Sequence, residues 1–304
     1  MFQSVEDVQQ HFKDARYIAN RRICTVIYLA ERMGRPVLIE GPAGVGKTEL
    51  AKTLAEITGR RLIRLQCYEG LDEGKALYEW KYAKQLLYTQ LLKERIGELI
   101  ADAPSLPDAV ARISGQDDAF FSHRFLSPRP LLQAIESPDP VVLLVDEIDK
   151  AEPEFEAFLL EVLSDFQVSV PELGTIRATN IPLVVLTSNN ARELSDGLKR
   201  RCLHLFIDFP PPDEELEIIR LKVPEIPDRL ARAVVAVVNK IRVLELRKAP
   251  SVSESLDWAR SLVILNADAM DRELVESTLT MLVKHEKDLE RVRGALDKVL
   301  ADLP

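Results

Sequence analysis

The eight residues GPAGVGKT, Gly41 to Thr48, fit the pattern G-x-x-x-x-G-K-[ST] in full. Glycines at these spacings let a backbone wrap so that its N–H groups converge on phosphate oxygens. The lysine then reaches the outer phosphates, and the hydroxyl after it ligates Mg²⁺. The cradle would comprise Gly41, Pro42, Ala43, Gly44, Val45, Gly46, Lys47 and Thr48, with Glu49 directly behind it, and its ligand would be ATP with Mg²⁺. A second stretch, VVLLVDEID from Val141 to Asp149, ends an apolar run in carboxylates. By itself it reads as the end of a strand. Behind a complete phosphate loop, Asp146 becomes a second Mg²⁺ ligand beside Thr48, and Glu147 a group that polarises an attacking water. Asn189 closes a third apolar stretch, PLVVLTSNN, where its amide would bond the γ-phosphate or the water; a simple Asn-Asn turn is the alternative. In LKRRCLHL, Leu198 to Leu205, Arg200 and Arg201 stand back to back before an apolar run. Arginines flanking a strand are ordinarily solvated gatekeepers, so the pair needs other evidence to mean more.

These residues need strands to hold them. PVLIE, RLIRLQC, VVLLVDEID, PLVVLTSNN and LHLFIDF are short apolar or alternating runs, separated by segments of helical periodicity. Continuous apolar runs suit strands buried on both faces, and the alternation with helices implies a parallel sheet covered on both sides. Two short helices are expected within residues 1–34, a helix over Glu49 to Thr58 that stops at Gly59, and another from about Pro153 to Phe166. QVSVPELGTIRAT reads as a hairpin turning near Gly174. Residues 68–128 read as an elaboration of the core, with helical spacing over Gly70 to Ile100 and breakers at Pro104, Pro107 and Gly115. FPPPDEE, Phe209 to Glu215, ends the alternation, and the remainder of the chain reads as helical throughout. The expected division is an α/β nucleotide-binding domain over 1–210, with its hairpin at about 167–178, and a small helical lid over 211–304.

Composition narrows the partners. The 304 residues carry 49 acidic against 40 basic side chains, a net charge of −9, which disfavours nonspecific grip on nucleic acid or anionic membrane. Cys24, Cys67 and Cys202 are scattered without CxxC spacing, so neither a disulfide framework nor a cysteine metal site is expected, and a reducing cytoplasm fits best. The start MFQSVEDVQQHF is acidic where a signal peptide is basic, and no apolar run approaches the roughly 20 residues of a membrane helix. His11, His123, His204 and His285 show no metal-ligand spacing.

The order of phosphate loop, DEID, hairpin before TSNN, paired arginines and helical lid resembles the AAA+ branch of P-loop NTPases, and the hairpin's position resembles that of its MoxR type. YEGLDEGKALYEW and PSVSESLDWARSL are most similar to the CoxD-like subgroup, and the likeness spans about residues 10–270. The resemblance implies an ATP-hydrolysing chaperone that remodels a protein client, and for that subgroup maturation of the metal centre of a molybdenum enzyme such as carbon monoxide dehydrogenase. It implies a homo-oligomeric ring, of six subunits, and a partner bearing a von Willebrand factor A domain. Arg201, with Arg200 as the alternative, would then be the finger that completes a neighbour's site. The sensor 2 arginine of many MoxR-type lids falls at Ser253, with Arg260 and Arg247 as substitutes, and Tyr68 lies where related unfoldases carry a pore aromatic. A nucleic-acid motor or clamp loader shares the core, but the acidic balance and the lack of a basic, aromatic-interleaved stripe weigh against it. A small-molecule kinase is disfavoured by Glu147, which is suited to using water and not to excluding it. A nucleotide-gated binding module that barely hydrolyses is the remaining alternative, should sensor 2 be missing.

Overall fold

The computed structural model describes residues 2–101, 103–105, 107–108, 124–170 and 173–303; His123 and Gly115 lie outside them. Its centre is a five-stranded, all-parallel sheet of β1 (Val37–Glu40), β2 (Arg61–Gln66), β5 (Val141–Asp146), β8 (Leu183–Ser188) and β9 (Leu203–Phe206), in the spatial order β2-β5-β8-β1-β9. Side chains alternate faces along a strand, and β5 displays this directly. Val141, Leu143 and Val145 belong to one buried cluster with Phe155 and Leu159, while Val142 and Leu144 belong to another with Ile27 and Leu50. Both faces of the sheet are therefore dry, as its continuous apolar strands require. The order sets β1 beside β8, and β8 beside β5. The phosphate loop after β1 thus emerges next to the ends that carry Asn189 and Asp146.

Two small antiparallel pairs decorate this core: β3 (Tyr78–Trp80) with β4 (Leu126–Pro128), and β6 (Gln167–Val170) with β7 (Gly174–Arg177). The first pair corrects the helical reading of Gly70 to Ile100. Tyr78 and Trp80 are strand-favouring aromatics whose rings meet edge to face at 5.9 Å, and they break the segment into helices Glu73–Leu77, Tyr82–Leu91 and Lys93–Ile100. Leu86, Leu87, Leu91 and Leu92, which carry that helical spacing, are exposed. In the second pair Gly174 opens β7 at φ 78°. The last strand ends at Phe206, short of the expected Phe209, after which three prolines (Pro210, Pro211, Pro212), which cannot donate to a ladder, turn the chain to helix.

From Pro212 onward the chain is helical, with a core of its own: Trp258, Val234, Val237, Ile241 and Leu279 cluster there with no side chain of the sheet. The helical pattern that continues from Leu274 to Leu300 is divided into Arg272–Thr278, a 3₁₀ turn Leu279–Met281, Glu286–Gly294 and Leu296–Leu300. Buried Glu215 and Arg242 bond through both guanidinium forks (2.6 and 2.8 Å), and Ser255 Oγ adds a third bond to Glu215, so the buried charge is fully matched. Among the described residues no helix is long and apolar enough to cross a membrane.

Candidate functional site

The phosphate loop begins where β1 stops. Gly41 has φ 149°, and a Cβ there would lie 1.9 Å from Ile207 O, so the loop runs hard against the chain leaving β9. Gly46 caps the helix Lys47–Thr58 at φ 96°, which moves the helix start two residues earlier than expected, so Lys47 and Thr48 form its first turn. Among the described residues the backbone N–H groups of Ala43, Gly44, Val45 and Gly46 donate to no protein acceptor. Free N–H groups at a helix N-terminus are the donor set an anionic phosphate requires. Lys47 is 5% exposed, and its Nζ donates to Gly41 O and Pro42 O, both at 2.6 Å. Burial pushes its ammonium down to about 8, with Asp149, Asp146 and Glu147 pulling the other way.

Asp146 ends β5, two strands over from β1 in the same sheet. Its Oδ1 accepts from Thr48 Oγ1 at 3.0 Å and Thr187 Oγ1 at 2.5 Å, while Oδ2 accepts from Arg64 Nη2 at 2.6 Å and Nε at 3.0 Å. A hydroxyl and a carboxylate in contact are hard oxygen donors of the kind Mg²⁺ selects, so Thr48 and Asp146 fit as its protein ligands. Glu147 sits at φ 57°, a left-handed conformation unusual outside glycine, with its N–H on Thr187 Oγ1. This turn swings its carboxylate away from the strand, where Oε1 accepts from Asn189 Nδ2 (3.1 Å) and Oε2 from Gln66 Nε2 (2.8 Å) and Lys150 Nζ (2.6 Å). Asn189 lies one residue past β8, its N–H held with that of Ala191 on Asp149 Oδ2.

Two cavities join at this loop. One, of about 280 Å³, is lined by Lys47, Thr48, Asp146, Glu147, Thr187 and Asn189. The other, of about 660 Å³, runs between the first helices, the β9 exit and the C-terminal helices, past Tyr17, Ile18, Val45, Ile207 and Leu256. Gly44, Gly46, Glu49 and Ser253 line both. The smaller is polar and phosphate-sized, and the larger falls in the range that encloses a ring-bearing ligand. Burial pushes the Tyr17 hydroxyl well above its usual range, so it stays neutral at the cavity wall.

The C-terminal helices meet the loop directly. Of these, Val252–Ile264 starts with a capping box, Ser251 and Glu254 bonded reciprocally, and the N–H and Oγ of Ser253 donate to Gly44 O at 3.2 and 3.3 Å. Of the arginines considered in place of Ser253, Arg260 reaches the rim of the larger cavity and pairs with Asp257. Arg247 is exposed and remote, its N–H on Asp288. A Cβ on Gly44, at φ 76°, would lie 2.4 Å from Ser251 Oγ and 2.6 Å from Ser251 Cβ. Gly44→Ala should therefore push the helix Val252–Ile264 off the loop, costing about 2–3 kcal/mol, read as a fall in Tm of several degrees with weaker nucleotide binding. An unchanged Tm and affinity would contradict this packing.

The expected residues do not all meet. Ala43 to Glu49, Asp146, Glu147 and Asn189 line the two cavities, and Gly41 and Pro42 hold Lys47 through their carbonyls, whereas Arg200 and Arg201 line neither cavity. They end a short helix, Asp196–Arg201, that was not foreseen, and both side chains are exposed. Tyr68 is exposed on the turn after β2, while Trp80 is core. Sequence reasoning missed Arg64, Gln66 and Thr187. The polar positions two apart in RLIRLQ were the available signal for the first two.

Comparison with known proteins agrees with this geometry. Gas vesicle ATPase GvpN1 of Halobacterium salinarum is 23% identical over 281 residues, taking in 89% of this chain and 75% of that protein. Chaperone protein ClpB 2 of Thermosynechococcus vestitus is 30% identical over 165 residues, 52% of this chain but 14% of that protein, so only a small part of the chaperone has a counterpart here. Among solved structures, a variant of Thermotoga maritima RuvB superposes with a TM-score of 0.51 at 18% identity, covering 99% of this chain and 78% of that one, a likeness of fold. Residues 36–202 match the family of the AAA domain, dynein-related subfamily. Since that span runs from just before β1 to just before β9 and takes in more than half the chain, this protein belongs to the AAA domain family, in its dynein-related subfamily.

Proposed function

We propose that this chain is an ATP-hydrolysing chaperone of the MoxR type that works as a homo-oligomeric ring and remodels a protein client. The observation that carries the reading is the Glu147 carboxylate, turned out of its strand and bonded by Asn189 on the wall shared with Lys47 and Thr48. A carboxylate at that place polarises water, which turns nucleotide binding into hydrolysis. Lys47 and the free N–H groups of the loop bind and orient the phosphates, Thr48 and Asp146 hold Mg²⁺, and Mg²⁺ when bound neutralises phosphate charge. The similarity to a protein named as an ATPase supports the same reaction class. We take the division near residue 210 as the boundary between the nucleotide-binding part and the lid, because the helices beyond it have their own core. The finer assignment, a CoxD-like member with a von Willebrand factor A domain partner and a molybdenum-enzyme client, rests on YEGLDEGKALYEW and PSVSESLDWARSL.

Glu147→Gln tests the reading. The amide keeps the volume and one acceptor but cannot take a proton, so the variant should bind ATP with wild-type affinity and hydrolyse it at least about 100-fold more slowly. Phosphate release at the wild-type rate would remove Glu147 from its role. A Glu147→Gln protein loaded with ATP is also the natural bait for the client.

A further inference from the structure

We propose that Arg64 is a built-in counter-cation for Asp146, holding the carboxylate oxygen that Mg²⁺ needs, so that metal loading requires the guanidinium to yield. The proposal rests on the nucleotide site described above and concerns how that site is charged.

Asp146 is almost wholly buried, its side chain 2% exposed, and both of its oxygens are engaged. Oδ1 is held by the Thr48 and Thr187 hydroxyls, and Oδ2 by Arg64, with the Thr48 hydroxyl also 3.2 Å from Oδ2. A cation shared by Thr48 and Asp146 would meet Arg64 at Oδ2, the oxygen that lies within reach of both. An arginine matches this place because its charge is permanent and its planar fork reaches two partners at once. The second partner is the Oε1 of Gln66. That bond fixes which way the Gln66 amide faces, and so aims its Nε2 at Glu147 Oε2, 2.8 Å away. One guanidinium thus restrains both carboxylates of the DEID stretch, Asp146 directly and Glu147 through an amide. It can also move: β2 is an edge strand, and the Arg64 side chain is 48% exposed, so solvent lies open to it once it lets go. When the fork leaves Asp146, the Gln66 amide loses the partner that oriented it, and Glu147 loses one of its three bonds. Metal loading and release of the water-polarising carboxylate become one event. A hydrophobic side chain at position 64 would leave the buried carboxylate without a countercharge until metal arrived, which explains a long cation set between buried Ile63 and Leu65.

The test is binding of a fluorescent ADP analogue to the full chain, titrated over Mg²⁺ concentration and repeated in EDTA. With Arg64→Gln, the Mg²⁺ midpoint should fall about tenfold, the scale of a lost charge-assisted bond, while affinity in EDTA stays within about twofold. Arg64→Lys, which keeps the charge but not the fork, should fall between. Lys150→Gln removes an equal charge beside Glu147 but touches no oxygen of Asp146, so it should move the midpoint much less. An unchanged or raised midpoint in Arg64→Gln, with nucleotide still bound, would overturn the proposal and make Arg64 a scaffold that presents Asp146 to the metal. Equal shifts in Arg64→Gln and Lys150→Gln would reduce it to a general charge effect and overturn it too. Failure of the wild-type chain to bind nucleotide at all would overturn the function reading itself, and with it this one.

Discussion

Lys47→Ala is expected to bind nucleotide at least about 100-fold more weakly than wild type, with a Tm within a few degrees of it. The ammonium is buried between two carbonyls of the loop it serves, with three carboxylates near enough to influence its charge. In water a single exposed lysine contributes little to binding an anion. Here the low-dielectric floor of the cavity makes the same charge worth several times more. Stability responds less, because the bonds lost to Gly41 and Pro42, about 1 kcal/mol each, are offset by removing a cation that burial already disfavours. The same burial gives a pH signature. Phosphate binds the protonated lysine, whose free value lies near 8, so affinity should be flat below that value. It should weaken as pH climbs through 8 towards the higher value of the complex. Titration of a fluorescent nucleotide at several pH values reads both effects, and a Lys47→Ala affinity equal to wild type would remove the phosphate-loop assignment.

How much of this was legible in the sequence depended on how locally each feature is encoded. GPAGVGKT announces itself because a loop that must approach phosphate and Ile207 so closely has few alternatives to glycine, and those glycines sit within eight positions. The buried strands were legible for a similar reason, since an apolar run with no polar face has nowhere to go but the middle of a sheet. Arg64, Gln66 and Thr187 were not, because their meaning arises from pairing across strands. Gln66 stands opposite Asp146 in the β2–β5 register, 80 positions later in the chain, and nothing near RLIRLQ points to that partner. Exposed Leu86, Leu87, Leu91 and Leu92 show the converse: their spacing satisfies a helix, but periodicity does not say that anything covers the apolar face. At Ser253 the sequence posed the question without the answer. The position lies on the phosphate loop, its backbone N–H and its hydroxyl both donating to Gly44 O.

Arg201→Ala should lower ATP turnover about 10³-fold without altering nucleotide affinity, if the finger acts across subunits. The geometry of the pair supports a role outside its own chain. Ser195 caps the short helix that carries it, and the Ser195 N–H also bonds Glu156, which is buried and pairs with Arg192 on the loop after Asn189. At the other end Arg35 donates to the carbonyls of Arg200 (2.6 Å) and Arg201 (3.2 Å). The backbone is pinned at both ends while neither guanidinium has a partner among the described residues. A solvated pair that merely favours a helix C-terminus would explain Lys199, Arg200 and Arg201 equally well, and its removal would cost well under 1 kcal/mol of stability and nothing in rate. The two accounts separate on mixing. Arg201→Ala subunits keep Glu147, and Glu147→Gln subunits keep Arg201, so each protein alone should be nearly inactive. In randomly mixed equal rings about one interface in four pairs an intact Glu147 with an intact Arg201, and turnover should recover to roughly a quarter of wild type. Arg200→Ala in the same assay identifies which arginine acts, since only the true finger depends on a neighbour to be rescued. Mixed assemblies proven by mass that stay inactive would rule out action in trans, and full activity of Arg201→Ala and Arg200→Ala alone would return the pair to the solvated edge of β9.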